Sequence, residues 1–435
     1  MIQGIDFSFR RYSLALTTAT LAALVLIGCD NSTTGTRTGT ASKVLYLISN
    51  SATPGQNAVL GYTRAADGSL TAMAGSPFLT GGTGVANPTQ GLGPDDVDFA
   101  VATSSDHKQL FAVNPGSNTI AVFDIAENGS LTSVAGSPFS SNGINPVSVA
   151  VDGNYLLVVN KAQDPAQPTT QLPNYATLAI AADGSLSPVP GAKVETVAGA
   201  SPQMVLLSPS KSLFFGADFM APIAPSPAGS LRSFTLASDG TFAPAPGTPL
   251  NIPGDSALAQ LVLGLAVHPT QNILYVGFVT QNKLGVYNFD SGTGALTFRT
   301  SVANSGQAIC WITTNATGSA IYTVDTGDNS MSWYDATAPL APVEDQHLLL
   351  KNPGPSYMNA MGMPVPTSQA FQEALTPDGK FLYVVSQHTN PDFTAANGNV
   401  LHALAVAADG SLSEPGTPVA LPVDTHTRPW GLVAF

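Results

Sequence analysis

From Val44 onward the chain keeps returning to one pattern: a short run of large apolar residues, then a turn rich in Gly, Asn, Asp or Pro. The apolar run reads VLYLIS at Val44, LFAVN at Leu110, LLVVN at Leu156, LFFGA at Leu213, LYVGF at Leu274, IYTVD at Ile321 and LYVVS at Leu382. Most copies are followed by a stretch that alternates apolar and polar residues, such as Thr119 to Asp124 or Lys283 to Tyr287. That is the period of a half-buried strand. A second signature then recurs: Asp67-Gly68-Ser69-Leu70, Asn128-Gly129-Ser130-Leu131, Asp183-Gly184-Ser185-Leu186, Asp239-Gly240-Thr241-Phe242 and Asp409-Gly410-Ser411-Leu412, with Thr293-Gly294-Ala295-Leu296 a looser copy. Asp-Gly and Asn-Gly tolerate positive φ, so two-residue hairpins are expected there. Each unit thus holds four strands, A to D. The runs above are strand B. Val147 to Val151, Leu263 to Val267 and Phe371 to Leu375 are examples of strand A.

Seven units at roughly 46- to 66-residue spacing predict an all-β, seven-bladed β-propeller with four-stranded antiparallel blades. The first unit enters directly at strand B. The last residues, Trp430 to Phe435, form an orphan strand. Pairing the two would complete blade one and close the ring, leaving no open edge. The predicted A–B and C–D turns are short and fall on one face. The D–A and B–C loops fall on the other and carry the insertions, 79–94, 161–174, 218–230, 351–369 and 387–399. Long loops on a rigid scaffold are where function usually lies.

The start of the chain reads differently. Arg10 and Arg11 precede an apolar stretch, Leu14 to Ile27, too short to span a bilayer comfortably. It ends in Leu26-Ile27-Gly28-Cys29, which resembles a bacterial lipobox. Residues 1–28 are therefore expected to be a lipoprotein signal peptide and Cys29 the lipidated residue. Residues 29–42 are expected to be a flexible tether, and 43–435 the propeller. The protein would then be held in the cell envelope by its lipid alone. Asp30 favours the periplasmic face of the inner membrane, with the outer membrane or the cell surface as the other addresses. Lipidation of Cys29 leaves Cys310 without a disulfide partner in the chain.

Composition narrows the function. Charged residues make up 10% of the chain and hydrophobic ones 44%, a globular balance. With 15 Lys and Arg against 28 acidic residues, the net charge of −13 leaves no basic surface for nucleic acid. No Gly-x-Ser-x-Gly elbow, His-Glu-x-x-His pair or phosphate loop is present.

The segments Val113-Asn114-Pro115-Gly116-Ser117-Asn118-Thr119-Ile120-Ala121-Val122-Phe123 and Thr376-Pro377-Asp378-Gly379-Lys380-Phe381-Leu382-Tyr383-Val384 resemble the seven-bladed lactonase-type propellers. These include the propeller-type 6-phosphogluconolactonases and the carboxymuconate-cyclising enzymes. The resemblance runs from about Val44 to the end and implies a propeller that opens a sugar lactone; no cofactor is expected, and the protein is expected to be a monomer. The family's active positions are not kept. Its His-x-His is Ser201-Pro202-Gln203 here, its Asn-Glu-Leu is Phe278-Val279-Thr280, and its Asn-Arg-Gly is Asp325-Thr326-Gly327. Lactone opening needs a base for water and a donor for the oxyanion. In this chain both would have to come from elsewhere.

The replacement candidates are His388, His426 and Arg428, on loops predicted to be neighbours at the long-loop face, with Glu373 in the channel-lining strand A of blade seven. Asp95, Asp96 and Asp98 crowd one D–A loop and form a weaker candidate Ca²⁺ site. His268, before Pro269, is read as a turn residue. His107, His347 and His402 are read as structural. Two functions follow: a lactonase-like envelope propeller acting on a sugar lactone, or a non-catalytic propeller binding a carbohydrate or an envelope protein.

Overall fold

The computed structural model describes residues 43–86, 96–219, 229–253, 261–358, 362, 364–390 and 398–435. The expected signal peptide, Cys29 and the tether lie outside them. Seven antiparallel sheets stand in a ring, each ordered A to D outward from the axis. Strand B is the most deeply buried of each blade. Val44–Ile48, Leu213–Asp218, Ile273–Phe278 and Ala320–Asp325 are buried along their whole length. Their continuous apolar runs follow from being covered on both faces by neighbouring blades. At the junction of blades three and four, Tyr175 packs on Phe214 and Phe234, with ring centroids 6.0 and 4.9 Å away. Gly216 makes room for it, since a Cβ there would lie 2.2 Å from the Tyr175 hydroxyl.

The ring closes as the sequence predicts. Trp430–Ala434 is strand A of blade one and pairs antiparallel with Val44–Ile48, with Leu45 opposite Ala434 and Leu47 opposite Leu432. Val44 and Phe435 exchange both backbone hydrogen bonds, at 2.9 and 3.1 Å.

The C–D hairpins differ from expectation in one respect. The five Asp-Gly and Asn-Gly copies are three-residue loops, not two-residue ones. In blade one, Gly68 N–H donates to Ala65 O and Ala65 N–H to Ser69 O. Only the glycine has positive φ, +85° for Gly68, so each is a type I turn closed by a left-handed glycine. The same two bonds recur at Ala126, Ala181, Ala237 and Ala407. The Asp or Asn has a different task from the one expected. Asp67 Oδ1 accepts both the Ser69 N–H, at 2.9 Å, and the Ser69 hydroxyl, at 2.7 Å. This local acceptor bond stabilises the turn without requiring positive φ at the Asp itself.

The A–B turns are short, and the longer connections lie at the opposite end, here called the upper face. One of them holds a small hairpin of its own, Ser356–Met358 against Pro364–Pro366. No helix among the described residues is long and apolar enough to cross a membrane.

Candidate functional site

Chemically capable side chains lie in two places, one on either side of a segment that crosses the axis. That segment is Asp96–Phe99, which leads into strand A of blade two. Its backbone is tied to four other blades. The Val97 carbonyl accepts the Trp311 indole N–H at 2.8 Å and the Gln372 amide. Asp98 N–H donates to Gln203 O, and Val149 N–H donates to Phe99 O. Lys161 Nζ donates to Asp96 O at 3.0 Å. A chain bonded to blades three, four, six and seven must cross the axis. Phe99 does so at φ +54°, rare for a bulky residue and held there by these bonds.

Above the crossing, the segments that carry His388 and Arg428 are neighbours. His388 ends strand B of blade seven, where it pairs with Ser368, and is fully buried. Arg428 precedes the closing strand and is 3% exposed. One residue clamps both segments: Asn399 accepts the His388 N–H at 2.9 Å and donates to Thr427 O at 2.9 Å. Gln387 adds a second tie, to Pro429 O at 3.1 Å. Gly398 packs against His388, where a Cβ would lie 2.6 Å from its Cα. The Arg428 charge reaches Tyr357, whose phenol burial raises and Arg428 lowers. Tyr357 donates to Thr389 O at 2.7 Å. His426 sits on the exposed side of the same loop, its N–H held by Asp424.

Glu373 is elsewhere. It faces Val384 near the lower end of strand A, five residues from the Ser368–His388 pair. At the strand rise this places it on the order of 15 Å away. It lines a chamber of about 440 Å³ below the crossing, together with Asp98. Burial raises both carboxyls: Asp98 to about 7, and Glu373 well above its ordinary value, with the Asp98 charge the next cause. Asp95 lies outside the described residues, and Asp96 acts on Cys310 while Asp98 lines the lower chamber. No group of three His, Cys, Asp or Glu among the described residues is arranged to hold a metal.

Sequence reasoning missed Lys161, fully buried after strand B of blade three. It also missed a Ser–His–carboxylate array in blade seven. Ser386 Oγ lies 2.9 Å from His402 Nε2, and Glu414 Oε1 lies 2.7 Å from His402 Nδ1. The distances are those of a catalytic triad. Ser386 and His402 are both 0% exposed, however, and Ser386 meets Asn329 of the adjacent blade. With no opening for an acyl group the array is a structural link between blades, in keeping with the structural reading of His402. Nothing in the linear sequence pairs residues 386, 402 and 414; the strand register does. His268 is the turn residue expected, its Nδ1 accepting the Thr270 and Gln271 N–H groups at 3.2 and 3.1 Å.

No family model matches the chain, and no curated protein matches it. Solved structures do. A Bacteroides fragilis protein provisionally designated a 6-phosphogluconolactonase superposes with a TM-score of 0.63 at 15% identity, covering 93% of this chain and 100% of that one. The periplasmic gluconolactonase of Pseudomonas aeruginosa gives 0.59 at 17% identity, covering 89% and 99%. A Sulfolobus tokodaii protein provisionally designated selenium-binding gives 0.61 at 8% identity, covering 91% and 93%. At such identities the likeness is one of fold, and the chain is a seven-bladed β-propeller similar over nearly its full length to these proteins.

Proposed function

We propose that the protein is an exported, lipid-anchored propeller of the cell envelope that binds a sugar lactone at the upper mouth of its axial channel and opens it there. The observation that carries the reading is that Asn399 ties the backbone of His388 to that of Thr427, which sets the segments carrying His388 and Arg428 side by side although they lie forty residues apart in sequence. Arg428 supplies a fixed cation for a carboxylate, a phosphate or the developing oxyanion. His388 supplies the base. It takes the proton of a water that attacks the lactone carbonyl, and then returns that proton to the ring oxygen as the C–O bond breaks. The similarity to a protein named a gluconolactonase supports the substrate class.

A second reading, a binding propeller without catalysis, is favoured by two observations. His388 is fully buried, and Glu373 stands well away from the mouth. One assay separates the two. Purified protein is offered glucono-lactone and its 6-phosphate, and opening is followed against the buffer rate. Catalysis predicts a rate above buffer that falls by at least ~100-fold in His388→Ala. A rate equal to buffer, alongside ligand binding that Arg428→Gln weakens, establishes the binding module instead.

A further inference from the structure

The lower chamber is a separate site from the mouth. The crossing at Asp96–Phe99 lies between them. Its walls are apolar, with Leu206, Val267 and Ile312 from the strand-A ends of blades four, five and six. Two carboxyl side chains stand in this apolar surround. Asp98 is 7% exposed, and its Oδ1 is occupied by the Phe99 N–H at 2.8 Å. Glu373 Oε2 is buried and takes no hydrogen bond. No Lys, Arg or His is among the residues lining the chamber. Two like charges held together in such a place cannot both ionise cheaply, and sharing one proton leaves a single negative charge to be matched.

We infer that the lower chamber binds a small organic ammonium ion, its apolar body against Leu206, Val267 and Ile312 and its N–H groups on Asp98 and Glu373. A monocation with an apolar body fits both halves of the surface. It neutralises the carboxyl pair through charge-assisted hydrogen bonds and removes the apolar wall from water. A bare divalent cation fits less well, since no third carboxylate, His or Cys joins the pair among the described residues and Ca²⁺ takes six or more oxygens.

The test uses the propeller chain and two probes of nearly equal shape, benzylammonium and benzyl alcohol, titrated calorimetrically at pH 8. The expected result is one benzylammonium per chain, with benzyl alcohol at least about tenfold weaker. Glu373→Gln and Asp98→Asn should each weaken benzylammonium at least about tenfold. His388→Ala should leave it unchanged, which separates this site from the proposed lactone site. Asp98 also steadies the crossing through Phe99, so Asp98→Asn is read alongside its melting temperature. Glu373→Gln has no hydrogen bond to lose at Oε2 and carries the decision if Asp98→Asn folds poorly. Equal binding of the two probes, or binding indifferent to Glu373→Gln, overturns the inference. So does stabilisation by Ca²⁺ alone that Glu373→Gln abolishes.

Discussion

The glycine of the Asp-Gly and Asn-Gly C–D turns serves two blades. Its positive φ closes its own hairpin, and its missing side chain admits the neighbouring blade. A Cβ on Gly68 would lie 2.3 Å from the Phe381 ring of blade seven, and one on Gly240 would lie 2.7 Å from Tyr155 of blade three. At three of these turns a tyrosine of strand B seals the contact with a hydrogen bond. Tyr383 donates to Gly68 O at 2.7 Å, Tyr322 to Gly410 O at 3.1 Å, and Tyr46 to Gly129 O. Tyr383→Phe should therefore cost about 1–2 kcal/mol in urea unfolding, because it strands a buried carbonyl while keeping the packing. Gly68→Ala should cost more, since it adds backbone strain to the clash with Phe381. Equal stability of Tyr383→Phe and the parent would refute this account of the seam. Both signatures were plain in the sequence, but their partnership was not. The Tyr and the Gly it bonds are 83 to 315 residues apart, and only the ring brings them together. A second prediction at this scale concerns pH. The Asp98, Glu373 and Asp325 carboxyls are all raised by burial, and the Coulombic repulsion of Glu373 comes from Asp98 and Asp325. A carboxyl raised in the folded state binds more protons there than in the unfolded chain. Its contribution is full below about pH 4 and is lost as pH rises through its folded value, near 7 for Asp98. The exposed turn carboxylates Asp67, Asp183, Asp239 and Asp409 are lowered by their Ser or Thr partners and act oppositely, only below about pH 4. The melting temperature should fall from pH 5 to pH 8, and Glu373→Gln should flatten that slope. A flat profile in the parent would show that these carboxyls ionise freely.

At the scale of the element, strand and hairpin positions were legible because each blade repeats one binary pattern, and seven copies average out local exceptions. The face of the long loops was legible too, because strand order assigns each connection to one end of the blade. Two features were not. The Asp96–Phe99 crossing lies in a connection without periodicity, and its bonds go to Trp311, Gln372, Gln203 and Val149 on strands that no local rule associates with it. Glu373 was placed correctly in strand A, but its height along that strand was misjudged. Strand A of blade seven spans Ser368–Leu375, so its two ends face opposite mouths of the channel. The upper end meets His388 and the lower end meets Asp98. Register also explains the Ser386–His402–Glu414 array. Val384 lies opposite His402, so Ser386 and His402 project from the same face of adjacent strands, two residues offset, a diagonal that a long side chain spans.

For the whole molecule, stability rests on closure. A propeller blade cannot bury its faces alone, and each must be covered by the next. An open ring would expose the unpaired edge of Val44–Ile48 and the apolar faces beside it, an invitation to pair with another chain. No covalent lock substitutes for that seam within the described residues, where Cys310 is a free, buried thiol. The strand Trp430–Ala434 therefore carries the task. It contributes a fully buried Trp430, a nearly buried Leu432 and a ladder to Val44–Ile48. Gly431 bends it at φ +67° and donates its N–H to Gln372 of blade seven, so the strand ties blade one to blade seven. Burial of Trp430 and Leu432 alone amounts to roughly 4–6 kcal/mol, comparable with the whole stability of many domains. Ending the chain at Pro429 should thus do more than trim an edge. The shortened protein should lose its cooperative unfolding transition, become protease-sensitive within blade one, and self-associate through the exposed strand. Adding the excised hexapeptide, Trp430 to Phe435, at high concentration should partly restore the melt. Trp430→Ala in the intact chain should give the intermediate case, lowering stability by about 3–5 kcal/mol without opening the ring. A truncated chain that melts as sharply and as high as the parent would mean that the six inner seams hold the ring unaided.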